Sequence, residues 1–350
     1  MVEKNITYLL GAGASYNASP ILNEQGEKMI ELAQIFKKLK DDGFFNKNES
    51  LRYLEEIFSY MGDFGKKAKE FGTIDTYARK LYLNDSSYEL EKLKVAVSLF
   101  FTIWQLTDNK DLKKLENRSI LEIDNRYISL FATILEKKDG EIVMKENINF
   151  VTWNYDLQLE YTFKLFTNSI DWDDLSNCLK FRVNGESELQ ICHLNGYHGF
   201  YNINEEKKHF LDRTESKKIE DIIKEIGYIS ESDHKGNIDV SSYINYAWEE
   251  SEIDSNSRKK NDRNIASNTR KEAKRIFKQT DILIIIGYSF PNFNKEIDES
   301  LFKELEGRET EIYYQDPNAT DEFISQLFNM DTSKIHLIKK PYQFSLPYSF

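Results

Sequence analysis

The feature that most limits how this chain can fold is a short apolar segment that runs directly into a pair of glycines. Residues 6–10 are rich enough in β-forming side chains to predict a buried strand, and Gly11 and Gly13 follow at once. Two glycines separated by one small residue allow a tight turn and a close approach of the backbone to a ligand. If a helix follows, its free N–H groups suit a pyrophosphate, but a simple strand-to-helix turn needs the same glycines.

Strands and helices are predicted to alternate along much of the remaining chain. Five more segments are predicted as strands, at 149–154, 188–193, 281–286, 311–314 and 334–338. Helical spacing of apolar residues marks 155–166, 293–305 and a segment that includes Phe323, Ile324 and Leu327. The predicted fold class is therefore α/β, with a Rossmann-like parallel sheet and helices on both faces. In such sheets ligands bind beyond the carboxyl ends of the strands.

Two long segments interrupt this alternation within what we predict to be a single domain, residues 1–350. Residues 16–146 show mostly helical patterns, which predicts a large helical insertion after the first strand. Within it, residues 88–106 are apolar almost all round, as in a helix buried at a domain or subunit interface. Residues 200–279 form a polar, partly basic insertion. Its stretch 251–275 has eight Lys or Arg against four Asp or Glu, and favours a solvated loop or helix face over a nucleic-acid or phosphate contact.

Composition argues against several classes of protein. The net charge of −12, from 47 basic and 59 acidic residues, gives no global attraction to nucleic acid or to an anionic membrane. Two cysteines, Cys178 and Cys192, cannot form a disulfide scaffold or a four-cysteine zinc ribbon within one chain. No segment approaches the ~20 apolar residues that span a bilayer, and the first apolar run is too short for a signal peptide. We therefore expect a soluble, cytoplasmic protein.

Four short motifs stand at predicted strand ends. They are Gly11-Ala-Gly-Ala-Ser15, Thr152-Trp-Asn-Tyr-Asp156, His193-Leu-Asn-Gly196 and Gly287-Tyr-Ser289. In this order they resemble the motifs of the sirtuin superfamily, and more closely those of its bacterial sirtuin-like NAD-consuming branch. The first is similar to the Gly-Ala-Gly-x-Ser pyrophosphate loop and the second to Thr-Gln-Asn-Ile-Asp. The third is similar to His-Gly with two residues inserted, and the fourth to the Gly-x-Ser turn that receives the distal ribose and phosphates.

This resemblance implies a site for NAD+ that needs no metal. It makes Asn154 and His193 catalytic, and Asp156 the acceptor of a hydrogen bond from the nicotinamide carboxamide. The cofactor-binding residues that it implies are Gly11, Ala12, Gly13, Ala14, Ser15, Thr152, Asp156, Gly287 and Ser289. The residue types suit cleavage of the nicotinamide–ribose bond, because an Asn amide can orient a hydroxyl or the attacking water and a His can take a proton near neutral pH. Asp316 lies where a further strand end meets the adenosine ribose.

Structural roles remain open for each of these side chains. Asn154 is also a favoured residue for a helix N-cap, and His193 after a strand often serves only as a structural hydrogen-bonding group. His198 competes with His193 but lacks the position at the strand end. Asp75 either approaches the cofactor or forms an N-cap or turn. Ser289 precedes Phe-Pro and either contacts ribose or shapes a turn.

The departures from the family pattern favour NAD+ hydrolysis over protein deacylation. Deacylating sirtuins carry a four-cysteine zinc module, which two cysteines cannot supply. The Gly-Ile-Pro-Asp-Phe-Arg run that normally follows the first loop is missing, and only Pro20 is similar to it. The resemblance thus implies an NAD+ glycohydrolase (NADase) that yields nicotinamide and ADP-ribose. In the bacterial branch such hydrolases are antiphage defence effectors that deplete NAD+ in abortive infection.

Two other functions and several partners stay open at this point. One alternative is a non-catalytic module that senses NAD+ or ADP-ribose, and the other is a deacylase or ADP-ribosyltransferase that acts on protein. Because an NADase is toxic to its own cell, we expect control by assembly. Either a homo-oligomer forms through residues 88–106, or a partner protein supplies the trigger. The family resemblance implies partners such as HerA-type ATPases and short Argonautes. From the net charge and the apolar pattern we expect neither a membrane nor directly bound nucleic acid.

Overall fold

A six-stranded parallel sheet forms the centre of the molecule in the computed structural model. The structure describes residues 3–45, 49–108, 121–167, 171–181, 188–203, 206–210, 218–236, 243–251, 260–320, 322–323 and 332–347. The strands are β1 (Ile6–Leu10), β2 (Leu135–Lys138), β3 (Glu141–Met144), β4 (Ile148–Thr152), β5 (Ile191–His193), β6 (Phe200–Ile203), β7 (Glu206–His209), β8 (Ile282–Ile286), β9 (Glu311–Gln315) and β10 (Ile335–Ile338). The helices are α1 (Gln25–Asp41), α2 (Glu49–Phe71), α3 (Ile74–Leu83), α4 (Ser87–Leu106), α5 (Asn125–Ile134), α6 (Gln158–Phe166), α7 (Trp172–Leu179), α8 (Ile219–Gly236), α9 (Lys260–Gln279) and α10 (Lys295–Phe302).

The strand order of the sheet is β10-β9-β8-β1-β4-β5, and every neighbouring pair is parallel. Successive strands spread outwards from β1 on one side and from β8 on the other, so the order reverses between these two strands. In doubly wound folds of this kind, ligands bind at the reversal. Leu10 pairs with both Thr152 and Ile286, so the carboxyl ends of the three central strands are level. The predicted α/β fold with a Rossmann-like parallel sheet is confirmed.

Helices cover both faces of the sheet, as predicted. Tyr8 and Phe150 point to the face that α5, α6 and α7 cover. Their neighbours Leu9 and Val151 point to the opposite face, under α9 and α10. Because successive residues of a strand alternate between faces, a sheet that is buried on both sides needs continuous apolar runs. The run Ile282–Ile286, fully buried along its length, shows this most simply.

The helical insertion after the first strand is also confirmed. Helices α1 to α4 pack together around one apolar cluster, which includes Leu32, Phe58 and Phe100, and α8 of the second insertion joins the same cluster. Helix α4 is the apolar segment predicted at an interface. Its interface lies within the chain, because α2, α3 and α8 pack against it and Phe101 contacts the ring of Tyr155 beside the sheet. Its apolar character therefore requires no partner chain.

Two antiparallel hairpins were not predicted from the sequence. Strands β2 and β3 form one inside residues 16–146, and β6 and β7 form the other at 200–209. In the first hairpin, the sequence Asp139-Gly140 is typical of a tight turn. These residues have φ of 52° and 91°, and two successive residues with positive φ form the two-residue loop that joins hairpin strands. β2 is Leu-Glu-Lys-Lys and exposed at three residues, whereas β3 is Glu-Ile-Val-Met, so neither strand shows the alternation of apolar and polar residues that predicts a strand.

Part of the basic stretch 251–275 lies in α9, where its charge is used inside the protein. The guanidinium of Arg270 donates to the main-chain carbonyls of Leu194, Asn245, Tyr246 and Ala247, and so fixes the segment beside the end of β5. Residues 252–259 lie outside the described residues, as does most of the helix predicted around Ile324 and Leu327. None of the described helices combines the length and the apolar character that a bilayer crossing requires.

Candidate functional site

A cleft lies beyond the carboxyl ends of β1, β4, β5 and β8, between the sheet and the helical insertion. Its volume is about 600 Å³, counted with the solvent-open space at its mouth. The sheet side contributes Gly11, Ala12, Trp153, Asn154, Tyr155, Asp156, Asn195, Gly287, Tyr288, Ser289, Pro291, Phe293 and Asn294. The insertion side contributes Pro20, Leu22, Gln25, Asp75 and Phe101.

The loop after β1 turns into a short 3₁₀ helix, Ala12–Ser15, and its glycines are needed for contact with the loop after β8. A Cβ on Gly11 would lie 2.6 Å from the carbonyl oxygen of Gly287, which leaves no room for any other residue. Gly287 itself has φ of +58° and packs against Gly13. The glycine pair is thus explained by two backbones in close contact at the strand-order reversal, whether or not a ligand lies above them.

Only part of the predicted pyrophosphate loop lines the cleft. Gly11 and Ala12 do, whereas Gly13, Ala14 and Ser15 lie behind them. The N–H of Gly13 donates to the carbonyl of Gly287 and that of Ala14 to the carbonyl of Gly11, so neither is directed at a ligand. Ser15 is fully buried. Among the described residues, its hydroxyl lies within hydrogen-bond distance of Tyr127, Asp156 and Asn154. Ligand contact by these three residues therefore stays a prediction that the observed geometry does not favour.

Asn154 lines the cleft and ties it to the first loop. Its side-chain nitrogen donates to the carbonyl of Gly11 at 3.0 Å and to the hydroxyl of Ser15 at 3.3 Å. Its own N–H donates to the hydroxyl of Thr152, which shapes the turn. Thr152 is not among the residues that line the cleft, and its cofactor contact stays a prediction. The N-cap of α6 is Leu157, so the interpretation of Asn154 as a helix cap is wrong. Asn154 instead presents its amide beside Gly11, at the floor of the cleft.

Asp156 also lines the cleft, and it is held from below. One carboxylate oxygen accepts from the hydroxyl of Ser15 at 3.1 Å and from the N–H of Gln158 at 3.3 Å. Burial raises the pKa of Asp156 to about 6, against the lowering effect of these two hydrogen bonds. The carboxylate is therefore ionised above neutral pH and oriented, as an acceptor for an amide would be.

The structure does not bring His193 to the cleft. Its Nε2 lies 2.7 Å from Glu160 Oε1, its Nδ1 lies 3.5 Å from the carbonyl of Asn154, and its side chain is 2% exposed. His198 is equally enclosed, between Thr102 and Gln105, and burial lowers its pKa well below the usual value. Both rings thus support the walls of the cleft from outside. The catalytic role of His193 stays a prediction, and this geometry does not favour it.

Asn195 takes the place at the end of β5 that was predicted for a histidine. It lines the cleft, and its side-chain oxygen is buried without a hydrogen-bond partner among the described residues. Gly196 follows with φ of +72° and packs against the carbonyl of Tyr243. The sequence signal for Asn195 is its place next to Gly196, just beyond the predicted strand that ends at His193.

Asp75 reaches the cleft from the helical insertion. The N-cap of α3 is Thr73, whose hydroxyl accepts from the N–H of Thr76, so the interpretation of Asp75 as an N-cap is wrong. Asp75 lies in the first turn instead, 4% exposed, and accepts from the hydroxyl of Tyr155 at 3.0 Å. Burial raises its pKa to about 6. No spacing in the sequence pairs an acid of the insertion with a tyrosine 80 residues away.

An aromatic pair forms another wall, and sequence reasoning missed it. The rings of Trp153 and Tyr288 are stacked with centroids 6.1 Å apart, and Asp298 behind them accepts from the Trp153 indole at 3.2 Å and the Tyr288 hydroxyl at 2.7 Å. Burial raises the pKa of Asp298 to about 8. Gly287 and Ser289 line the same wall, as predicted for the loop after β8. Asp316 accepts from the N–H of Asn318 and does not line the cleft.

The polar groups of the cleft favour a ligand rich in hydrogen-bond donors. Gln25, Asn195 and Asn294 line the cleft, and each has a buried side-chain oxygen without a hydrogen-bond partner among the described residues. Leaving a buried acceptor unpaired costs about 1–3 kcal/mol, so three together point to donors that a ligand supplies. The charged lining residues in the described part of the chain are Asp75 and Asp156, without Lys, Arg or His. A cationic ring suits such a lining better than a free anion.

The described residues contain no group of three His, Cys, Asp or Glu side chains that could hold a metal ion. Cys178 and Cys192 are both free thiols. No protein-family model matches this sequence, and no curated protein is significantly similar to it. The functional conclusion therefore depends on the fold, the cleft and the motifs that line it.

Proposed function

We propose that the protein is an NAD+ glycohydrolase that cleaves NAD+ into nicotinamide and ADP-ribose. One observation carries the proposal. At the strand-order reversal, where dinucleotides bind in doubly wound folds, Gly11, Gly287 and the amide of Asn154 line one cleft. The motif resemblance to bacterial sirtuin-like NADases selects NAD+ among dinucleotides. Deacylation is disfavoured because two cysteines cannot supply the zinc ribbon of a sirtuin.

The lining residues suit the two ends of this substrate differently. NAD+ supplies a cationic nicotinamide ring that leaves as a neutral amine, so departure needs little acid catalysis. Asp156 would accept from the carboxamide, and the two carboxylates would favour the cation. Asn154, fixed by Gly11 and Ser15, would orient a ribose hydroxyl or the attacking water. Trp153 and Tyr288 would cover the bound ligand and limit the access of bulk water.

Phosphate binding in this cleft would depend on the backbone. The described lining residues include no Lys, Arg or His, and the N–H groups of Gly11 and Gly287 already donate to the carbonyls of Ile286 and Gln315. The N–H groups of Ala12, Tyr288 and Ser289 would then be the backbone donors of these two loops. The hydroxyl of Ser289, at an exposed position on the cleft wall, would serve the distal ribose.

A non-catalytic NAD+ or ADP-ribose sensor is the second candidate. The observation in its favour is that neither His193 nor His198 lines the cleft. Incubation of the full chain with NAD+, alone and with any co-purifying protein, separates the two functions when nicotinamide and ADP-ribose are followed by chromatography. A hydrolase releases both, and Asn154→Ala reduces release by at least ~100-fold while the exposed change Asn84→Ala does not. Calorimetric binding without any release would establish the sensor instead.

Control by assembly and a role in antiphage defence belong to the same proposal and rest on the resemblance. Most of α4 is buried within the chain, which disfavours an oligomer contact through residues 88–106, although that contact stays a prediction. A partner, such as an ATPase of the HerA type or another phage sensor, is then the more direct trigger. Size-exclusion chromatography with and without the co-purifying protein tests this. A fully active monomer would exclude control by assembly.

A further inference from the structure

We infer that Asp75, which belongs to the helical insertion and not to the sheet, is a catalytic residue that accepts the proton of the attacking water. The inference rests on the proposed hydrolysis of NAD+. In that step the water oxygen bonds to the ribose carbon while the carbon–nitrogen bond to nicotinamide breaks, and the electron pair of this bond leaves with nicotinamide. One proton of the water passes to the carboxylate of Asp75 and is then released to solvent.

The position of Asp75 fits this role. Its side chain lines the cleft from the insertion side, opposite the loops at the strand ends. The Tyr155 hydroxyl donates to one of its oxygens at 3.0 Å and so fixes the orientation of the carboxylate. Tyr155 immediately follows Asn154 in the chain, and both line the cleft. The acid is therefore tied to the segment that orients the ribose in the proposed function.

Asn195 completes an acceptor pair with Asp75 in the cleft. Its side chain lies close enough to Tyr155 to lower the pKa of that phenol, and the hydroxyl of Tyr155 donates to Asp75, so both side chains neighbour the same hydroxyl. Asn195 lines the cleft, and its side-chain oxygen is buried without a hydrogen-bond partner among the described residues. A water has two donors, and a carboxylate together with an amide oxygen offers two acceptors. This pair can hold a water and take one of its protons.

The other candidate bases are less suited. His193 and His198 lie outside the cleft lining, each with both ring nitrogens near protein groups. Asp156 receives two hydrogen bonds on one oxygen from Ser15 and Gln158, which favour a fixed acceptor. The titratable groups that act on Asp75 are Tyr155 and Tyr246, whose pKa values burial raises well above the usual range. Both phenols stay neutral near pH 7, so Asp75 alone changes charge on this wall.

The first test compares Asp75→Asn with Asp63→Asn in the full chain. Asn keeps the shape and can still accept from Tyr155, but it cannot take a proton. We expect nicotinamide release to fall at least ~100-fold for Asp75→Asn, with the Kd for NAD+ within about tenfold of wild type. Asp63 is an exposed residue of the same insertion, paired with Lys66, and its change leaves release unaltered. We also expect Asp75→Asn to raise the melting temperature at pH 7.5, because a buried charge is removed.

The second test assigns the acid limb of the pH profile. Asp75 and Asp156 both have a pKa of about 6, so either could set the limb. Tyr155 donates to Asp75 only, and Ser15 donates to Asp156. If Asp75 is the base, Tyr155→Phe moves the limb to higher pH, because it removes a hydrogen bond that lowers the pKa of Asp75. Ser15→Ala then leaves the limb in place.

The outcomes separate this inference from the function on which it rests. The role of Asp75 is overturned, and the hydrolase function is left intact, by either of two results. One is an acid limb that shifts with Ser15→Ala but not with Tyr155→Phe. The other is nicotinamide release by Asp75→Asn at the wild-type rate. An absence of release from the wild-type chain, with its co-purifying protein present, overturns both. The expected pattern is loss of turnover with retained binding, and a limb that responds to Tyr155.

Discussion

The N–H of Gly13 donates a 2.9 Å hydrogen bond to the carbonyl of Gly287, and the two residues pack backbone against backbone. This contact joins the loops after β1 and β8, whose strands lie on either side of the strand-order reversal. It is made possible by the absence of side chains on both residues and by φ of +58° at Gly287. The candidate site is thus built on a junction of two loops that only glycine permits.

Gly287→Ala should therefore destabilise the protein and weaken the binding of NAD+. The new Cβ would meet the backbone of Gly13 and Ala14, and the residue would keep an unfavourable φ. The left-handed conformation costs roughly 1–2 kcal/mol and overpacking typically 1–3 kcal/mol, so we expect a loss of about 2–5 kcal/mol in urea unfolding. The matched control is Gly307→Ala, which has φ of +76° but open space around its Cβ. Equal losses in both variants would mean that the contact with Gly13 contributes nothing.

The sheet was predictable because its strands are continuous apolar runs buried on both faces. The run Ile282–Ile286 leaves few alternatives to a central strand. The hairpin of β2 and β3 was not predicted, because each strand has four residues and neither alternates apolar with polar side chains. Only Asp139-Gly140 marks the turn.

The motifs predicted the position of the cleft, but they did not predict which individual side chains point into it. His193 pairs in register with Thr152, and both side chains leave the strands toward the α5–α7 side of the sheet. A shift of one position along a strand moves a side chain to the other face, so a motif match does not fix which residue reaches the ligand. Asp75 comes from a separate insertion, and only the packing of α3 beside Tyr155 brings it to the site.

Asp75 should also reveal itself through the dependence of stability on pH. Its pKa is raised to about 6 in the folded protein, so the folded state binds the proton more tightly than the unfolded chain. The resulting stabilisation is present below the unfolded pKa of about 4 and is lost as the pH rises through about 6. Asp75→Asn lacks this loss, and a shift of about two pKa units corresponds to roughly 3 kcal/mol. We expect the variant to exceed wild type by up to about 3 kcal/mol in urea unfolding at pH 7.5, and by less than about 1 kcal/mol at pH 4.5. If Asp75→Asn exceeds wild type in free energy of unfolding by the same amount at both pH values, burial does not shift the pKa of Asp75.

His193 can be examined by separating its hydrogen bond from its basicity. Gln can donate to Glu160 as the imidazole does, but it cannot accept a proton, whereas Ala removes both properties. Because the ring supports Asn154 from outside the cleft, we expect His193→Gln to keep nicotinamide release within about tenfold of wild type. His193→Ala should lose at least ~100-fold, since Glu160 is left buried and unpaired. If Gln is as inactive as Ala while both variants melt as wild type does, the predicted catalytic role of His193 is restored.

Arg126 holds the first loop from the side away from the cleft, and this makes it a test of how the loop is positioned. Its guanidinium donates to the carbonyls of Gly13 at 3.3 Å and Ala14 at 2.9 Å, and forms an ion pair with the fully buried Asp124. Lys keeps the charge but has no planar fork, so it cannot serve the carboxylate and both carbonyls together.

We expect Arg126→Lys to lower the free energy of unfolding by about 2–4 kcal/mol, because the buried carboxylate of Asp124 loses much of the ion pairing that offsets its desolvation. We also expect it to weaken NAD+ binding, since the carbonyls that Arg126 holds belong to the loop that presents Gly11 and Ala12 to the cleft. The matched control is Arg308→Lys, whose ion pair with Asp281 is partly exposed and should change stability by less than about 1 kcal/mol. Calorimetric titration with NAD+ at a temperature where both variants are folded separates the two effects. Unchanged affinity in Arg126→Lys would show that the loop keeps its position through the Gly13–Gly287 contact alone.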